Sequence, residues 1–173
     1  MPRTFSSLAV AALTLVACST LLAQHGKSQL PAPAPIPAQI TGATKVFIAN
    51  GGGDRLETLG ETELDGGPDR PYNEFYAAMK SWGHYQLVSS PSDADLVLKI
   101  SCTLNTLHVE LPFPIVGQLH LVVADPRSHV ALWEMREYVR GAGGLGNRDK
   151  NFDVAMNTIV TRLKSLAAPE ADK

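Results

Sequence analysis

Residues 118–139 read "QLHLVVADPRSHVALWEMREYV". Two alternating apolar runs flank Asp125, Pro126, Arg127 and Ser128. Successive side chains of a strand point to opposite faces. Leu119, Leu121 and Val123 therefore share one face of the first run, and Ala131, Trp133 and Met135 share one face of the second. Aspartate followed by proline suits the first two positions of a type I turn. The stretch predicts a long antiparallel hairpin, and the remaining elements must pack against the sheet it starts.

The same alternation extends upstream. In "DLVLKISC", Leu96, Leu98, Ile100 and Cys102 fall on one face, while Asp95, Val97, Lys99 and Ser101 fall on the other. This predicts a half-buried strand with Cys102 toward the core, where a thiol is inert. Between it and the hairpin lies "VELPFPIVG" (Val109–Gly117), whose two prolines make it a loop or an edge. Leu111, Phe113, Ile115 and Val116 are unusually apolar for such a loop. Exposed, they would form a contact surface; folded inward, they would cover the core. These four are the candidate partner-contact residues.

Farther out, "KVFIAN" (Lys45–Asn50) reads as a first strand ended by "GGGD" (Gly51–Asp54). Tyr72, Phe75, Tyr76, Met79 and Trp82 follow helical spacing, predicting a helix from Pro71 to Trp82 with Asp69 as cap and Gly83 just past its end. "HYQLVSS" (His84–Ser90) reads as a second strand. Phe152, Ala155, Met156, Ile159, Leu163 and Leu166 predict a closing helix from about Lys150 to Leu166, capped by Asp149 or Asn151. The order is β-α-β-β-β-β-α. The predicted fold is α+β, a mainly antiparallel sheet with two helices packed on one face.

Few residues carry a chemical signature. "GAGGLG" (Gly141–Gly146) matches G-x-G-x-x-G between a strand and a helix. A dinucleotide site would also need a further strand ending in an acidic residue about 20 residues on, and the remaining chain has no room for it. The motif reads as a flexible connector. His108 and Glu110 would share a strand face, but the P-C-x-x-C of the zinc deaminases is missing. The other histidines (His25, His84, His120 and His129) lack ligand spacing. No G-x-S-x-G elbow is present. No cofactor, no metal and no enzymatic activity are expected.

The N-terminus points to export. Arg3 is the sole charge in residues 1–7, and "LAVAALTLV" (Leu8–Val16) is a continuous apolar run. That run is short of the roughly 20 residues needed to span a bilayer core, and the pattern is that of a secretory signal. Two cleavage sites compete. One follows Ala23. The other, in "LVAC", precedes Cys18 and resembles a lipobox, whose cysteine is acylated; a tether through Cys18 would hold the domain on a membrane. The segments are thus a signal over 1–23 (or 1–17 for a lipoprotein), a Pro/Ala-rich linker over 24–43, one domain over 44–168 and a frayed tail over 169–173. "LPAPAPIPAQ" reads equally as a tether or as a spacer left after export.

Composition agrees. With 173 residues, 45% of them hydrophobic, the chain has room for one ordinary core and is too apolar for a disordered chain. A formal charge of −2 gives no footprint for nucleic acid. Two cysteines exclude a disulfide-dense scaffold.

Read together, "YNEFYAAMKSWGHYQLVSSPSDADLVLKIS", "LHLVVADPRSHVALWEMREYV" and the helix opening "NRDKNFDVAM" resemble small exported bacterial envelope proteins of uncharacterised families, many with a lipobox. Those families share an Ala-Asp-Leu-Val strand start, here Ala94 to Val97, and a hairpin with Asp125, Ser128 and Trp133 in fixed spacing. The element order is similar to the amino-terminal domain of TolB and to curli-secretion-type lipoproteins. The resemblance implies an envelope location, periplasmic or outer-membrane-anchored, and a non-catalytic role contacting another envelope component. It transfers no active site. The rival expectation is a periplasmic carrier with a small-molecule or lipid pocket between sheet and helices. A hydrolase using His108 and Glu110 is a third.

Overall fold

The computed structural model describes residues 34–53, 66–106, 115–140 and 145–168. The chain divides into Met1–Pro35 and Ile36–Lys173, and every described element belongs to the second unit. The elements are α1 (Ala38–Thr41), β1 (Lys45–Gly53), α2 (Arg70–Trp82), β2 (Gln86–Leu87), β3 (Leu96–Thr106), β4 (Ile115–Ala124), β5 (Ala131–Val139) and α3 (Leu145–Ala167). The strands form one sheet in the order β2-β1-β3-β4-β5.

The fold is α+β with a mixed sheet. β1 runs parallel to both of its neighbours, β2 and β3, while β3–β4 and β4–β5 are antiparallel. The antiparallel ladders are the long ones: β3 and β4 stay in register from Val97↔Ala124 to Thr106↔Ile115. The parallel pair β1–β2 follows from chain direction, since α2 carries the chain back before β2 begins.

Alternation places Val46, Ile48, Leu96, Leu98, Ile100, Cys102, Leu119, Leu121, Val123 and Met135 on one buried face. α2 adds Phe75 and Met79, and α3 adds Phe152, Ala155, Met156, Ile159 and Leu163. Gly83 ends α2 in the left-handed conformation, with its N–H on the carbonyl of Met79. At the α2–β2 corner Trp82 stacks on His84 with ring centroids 4.6 Å apart, and both rings meet Tyr85 edge-on.

Several boundaries differ from the sequence reading. β1 runs on through Gly51–Gly53, where "GGGD" predicts a break. A Cβ at Gly51 would come within 2.7 Å of the Ile100 carbonyl oxygen, so only glycine lets β1 and β3 stay this close. The ladder becomes irregular between Asn50 and Gly53. β2 keeps only Gln86 and Leu87 of the predicted His84–Ser90 strand, because the chain turns under the start of β1 to reach β3. Residues 36–43, predicted as linker, join the folded unit: Ile40 and Ala43 are buried, and α1 packs against α3. α3 starts at Leu145, which puts Asp149 and Asn151 inside it rather than at its cap. Asp69 does begin α2, but its side chain caps nothing there and instead accepts a bond from the Asn50 amide at 2.7 Å.

Two carboxylates pin one end of the sheet. Asp95 Oδ2 accepts the N–H groups of Thr44 and Lys45 at 2.9 and 2.8 Å and the Thr44 hydroxyl at 3.1 Å. Asp125 accepts from the Arg127 N–H at 3.1 Å and the Ser128 hydroxyl at 2.7 Å, which closes the β4–β5 turn. Hydrogen bonds favour the ionised form, so Asp95 sits below the usual carboxylate range and Asp125 falls to about 2. A depressed folded-state pKa gives stability that is present above the unfolded value of about 4 and is lost as the pH falls through the folded value. We therefore expect Asp125→Asn to lower the melting temperature at pH 7 and to flatten its fall between about pH 4 and pH 2. Circular dichroism melts across that window check this; an unchanged acid profile would remove the turn carboxylate from the account.

Candidate functional site

The described helices cover one face of the sheet. α2 packs on β1 and β3, α3 packs on β4 and β5, and no described helix packs on the opposite face. Alternation sends Phe47, Val97, Val122 and Ala124 to that face, and all four are half-buried. Phe47 pairs with Val97, and Val97 with Ala124, so they form an apolar end.

Polar groups occupy the neighbouring rows. Ser101, His120 and Arg136 lie side by side across β3, β4 and β5, next to the row Lys99, Val122 and Glu134. The carboxylate of Glu134 receives His120 Nε2 at 3.2 Å and Arg136 Nη2 at 3.3 Å. Serine, histidine and glutamate thus meet on one surface. Acyl transfer would need the serine hydroxyl directed at the imidazole. Here Ser101 donates to the main-chain carbonyl of His120 at 3.5 Å, so the geometry is that of a surface charge cluster.

The second concave feature is a cleft of about 410 Å³ lined by Gly66, Arg70, Asn73, Glu74 and Asp149. Arg70 is 9% exposed and is the buried charge of the described core. Its Nε lies 2.6 Å from Glu74 and its Nη2 2.9 Å from Asp153; its Nη1 binds Asp149. The guanidinium carbon stands 4.4 Å from the centre of the Phe152 ring. Burial opposes the charged form, but the bonds and charges of Glu74 and Asp149 outweigh it and raise the pKa. A fork saturated in this way cannot also clamp an anionic ligand. The cluster is a tie between α2 and α3. Sequence reading took Asp149 for a cap and passed over Arg70. The available signal was Asp149 and Asp153 one helical turn apart around Phe152.

The sequence candidates distribute unevenly. Cys18, Leu111, Phe113, His25, His108 and Glu110 lie outside the described residues, as do residues 141–144 of the glycine-rich motif. Ile115 and Val116 open β4 opposite Thr106 and Asn105, so they are strand rather than loop. His84 stacks on Trp82, and His129 sits in the β4–β5 turn at φ 60°. Cys102 is buried on the core face. Among the described residues no group of three side chains could hold a metal ion, and no helix is long and apolar enough to cross a membrane.

No family model and no curated protein matches the chain. Solved structures do. One is a DUF330-family protein from Xanthomonas campestris, 14% identical over 78% of this chain and 89% of its own, with a TM-score of 0.46. A PelC dodecamer from Paraburkholderia phytofirmans is 16% identical over 78% and 95%, at 0.44. An uncharacterised lipoprotein B from Nitrosomonas europaea is 8% identical over 80% and 92%, at 0.42. These likenesses carry no residue and no activity over to this chain.

The Arg70 tie has a measurable consequence. Arg70→Ala strands Asp149 and Glu74 against a half-buried surface and removes the cover of Phe152. Removing one partner of such a network costs several kcal/mol when it is fully buried. With Asp153 half-exposed, about 2–3 kcal/mol is expected. Urea denaturation reads the loss; a change within about 0.5 kcal/mol would mean the tie does not hold the helices.

Proposed function

We propose that this is an exported, envelope-tethered, non-enzymatic module that binds or helps assemble another envelope component. The observation that carries the reading is the sheet face on which no described helix packs, where the half-buried Phe47, Val97, Val122 and Ala124 form an apolar surface. The signal-like N-terminus and the Pro-Ala tract support a tether, with acylated Cys18 as its anchor. Leu111 and Phe113 fall in the chain between β3 and β4, and Ile115 and Val116 open β4. The finer resemblance to the TolB amino-terminal domain and curli-secretion lipoproteins belongs to this reading. Catalysis has no part in it. A carrier is less well supported, because Phe75, Phe152, Ile159 and Leu163 fill the layer between sheet and helices.

Crosslinking in the envelope of a Gram-negative host tests the contact surface. Val122→Lys and Phe113→Ser are each expected to remove the crosslinked species while leaving the melting temperature nearly unchanged. Equal loss of crosslink and stability would make these residues core and end the idea. Lipid co-purifying in stoichiometric amount would shift the reading to the carrier. The intact mass of the protein expressed with its own signal tests the tether: acyl chains on Cys18 are expected, and a chain beginning at Gln24 would make it a soluble domain.

A further inference from the structure

Among the described residues β5 is an edge strand, last in the sheet order. The guanidinium of Arg162 on α3 donates to the main-chain oxygen of Arg136 at 3.1 Å, as it would to an oxygen on the outer side of β5. Residues of an antiparallel strand alternate in facing their neighbour, so the N–H and C=O groups of Glu134 and Tyr138 also point outward. The outward run begins after an irregularity between Val123 and Ala124 that leaves Leu132 unmatched on β5. A carbonyl has two lone pairs, so Arg136 can keep Arg162 and still accept a second donor.

The side chains along this edge are self-complementary. Pair β5 antiparallel with a second copy of itself about a two-fold axis at Met135. Glu134 then faces Arg136 of the other copy, and Arg136 faces Glu134. Moving the axis to Glu134 or to Arg136 sets identical charges against each other, which is destabilising. Charge therefore selects one register among those in which outward groups meet outward groups. Both charged side chains are exposed, 45% for Glu134 and 58% for Arg136, and they pair with each other within the strand at 3.3 Å, so pairing across the axis exchanges that contact for two between copies. Tyr138 is 63% exposed, and Val130, just before the strand, is 57% exposed. On α3, Val154 is 66% exposed and lies two turns before Arg162 on the same stripe, the stripe that reaches this edge.

We infer that β5 is a self-association edge: two copies join antiparallel through β5 to form one continuous ten-stranded sheet, with Glu134 and Arg136 fixing the register. Such an interface is isologous and closes at two copies. It is a small interface of the transient class. It leaves the sheet face free and stands whichever partner that face binds.

The test is sedimentation of the full-length protein up to about 500 µM, a range that reaches weak association. The wild type is expected to dimerise. Glu134→Arg alone and Arg136→Glu alone each set like charges across the axis, and each should weaken dimerisation about tenfold or more. Mixing these two single variants restores opposite charges at both pairs and should bring back a heterodimer. The double swap E134R/R136E should dimerise like the wild type. Melting curves of all four proteins separate loss of pairing from loss of fold. A monomeric wild type over the whole range overturns the inference, as does dimerisation indifferent to the single variants. Failure of the mixed variants to associate, with both folded, overturns the register.

Discussion

The carboxylate of Asp95 holds together the place on which the rest of the sheet depends. From the residue just before β3 it binds the N–H of Thr44, which precedes β1, and that of Lys45, which opens it, and so fixes Val46 opposite Leu96. A parallel pair has no tight turn to set its register, and a slip of one residue would send Val46 and Ile48 to the wrong face. The same neighbourhood holds the turn beneath β2, the 3-10 turn Pro91–Asp93, and Gln39 of α1, which donates to the main-chain oxygen of Asp95 at 3.3 Å. The anchor sits at the surface, so its strength comes from three convergent donors rather than from burial.

From this anchor the one-sided architecture follows. With β1 in register, the inward row from Val46 to Met135 is continuous, and α2 and α3 cover it. Arg70 closes the layer by tying the start of α2 to Asp149 and Asp153 near the start of α3. Helices that are joined to each other on one face cannot also shield the other. That leaves apolar Phe47, Val97 and Val122 next to His120 and the charged Glu134 and Arg136 on the other face.

Much of this was legible in the sequence, for reasons that also explain the exceptions. Period-two patterns in 96–102 and 119–123 mark two strands and their buried faces, and helical spacing marks α2 and α3, because burial on a single face leaves a period behind; in β5 the irregularity opposite Val123 and Ala124 takes exposed Ala131 off the face of Trp133 and Met135. β1 beyond Asn50 left none. Glycine has no side chain to alternate, and Gly52 at φ 82° is a conformation read as a breaker. α1 hid behind its prolines, since a four-residue helix shows no period. The first turn of α3 lies in a glycine-rich stretch whose composition argues for a loop. Arg70 is hard to read for a different reason: Glu74 at i+4 and the Asp149/Asp153 pair are visible locally, but that the two meet depends on a contact across 79 and 83 residues.

The family-like motifs take on a physical meaning here. In Ala94–Val97, the aspartate is the anchor of β1. In the Asp125–Trp133 spacing, Asp125 and Ser128 lock the turn, and Trp133 packs against the core from the return strand. Both aspartates act on main-chain donors within the fold, and neither presents its charge to a ligand. Short motifs of this kind therefore travel with the sheet's geometry, and proteins that share them need share no chemistry. The charged residues Glu134 and Arg136, by contrast, alternate along β5 and tie no main-chain group of the fold.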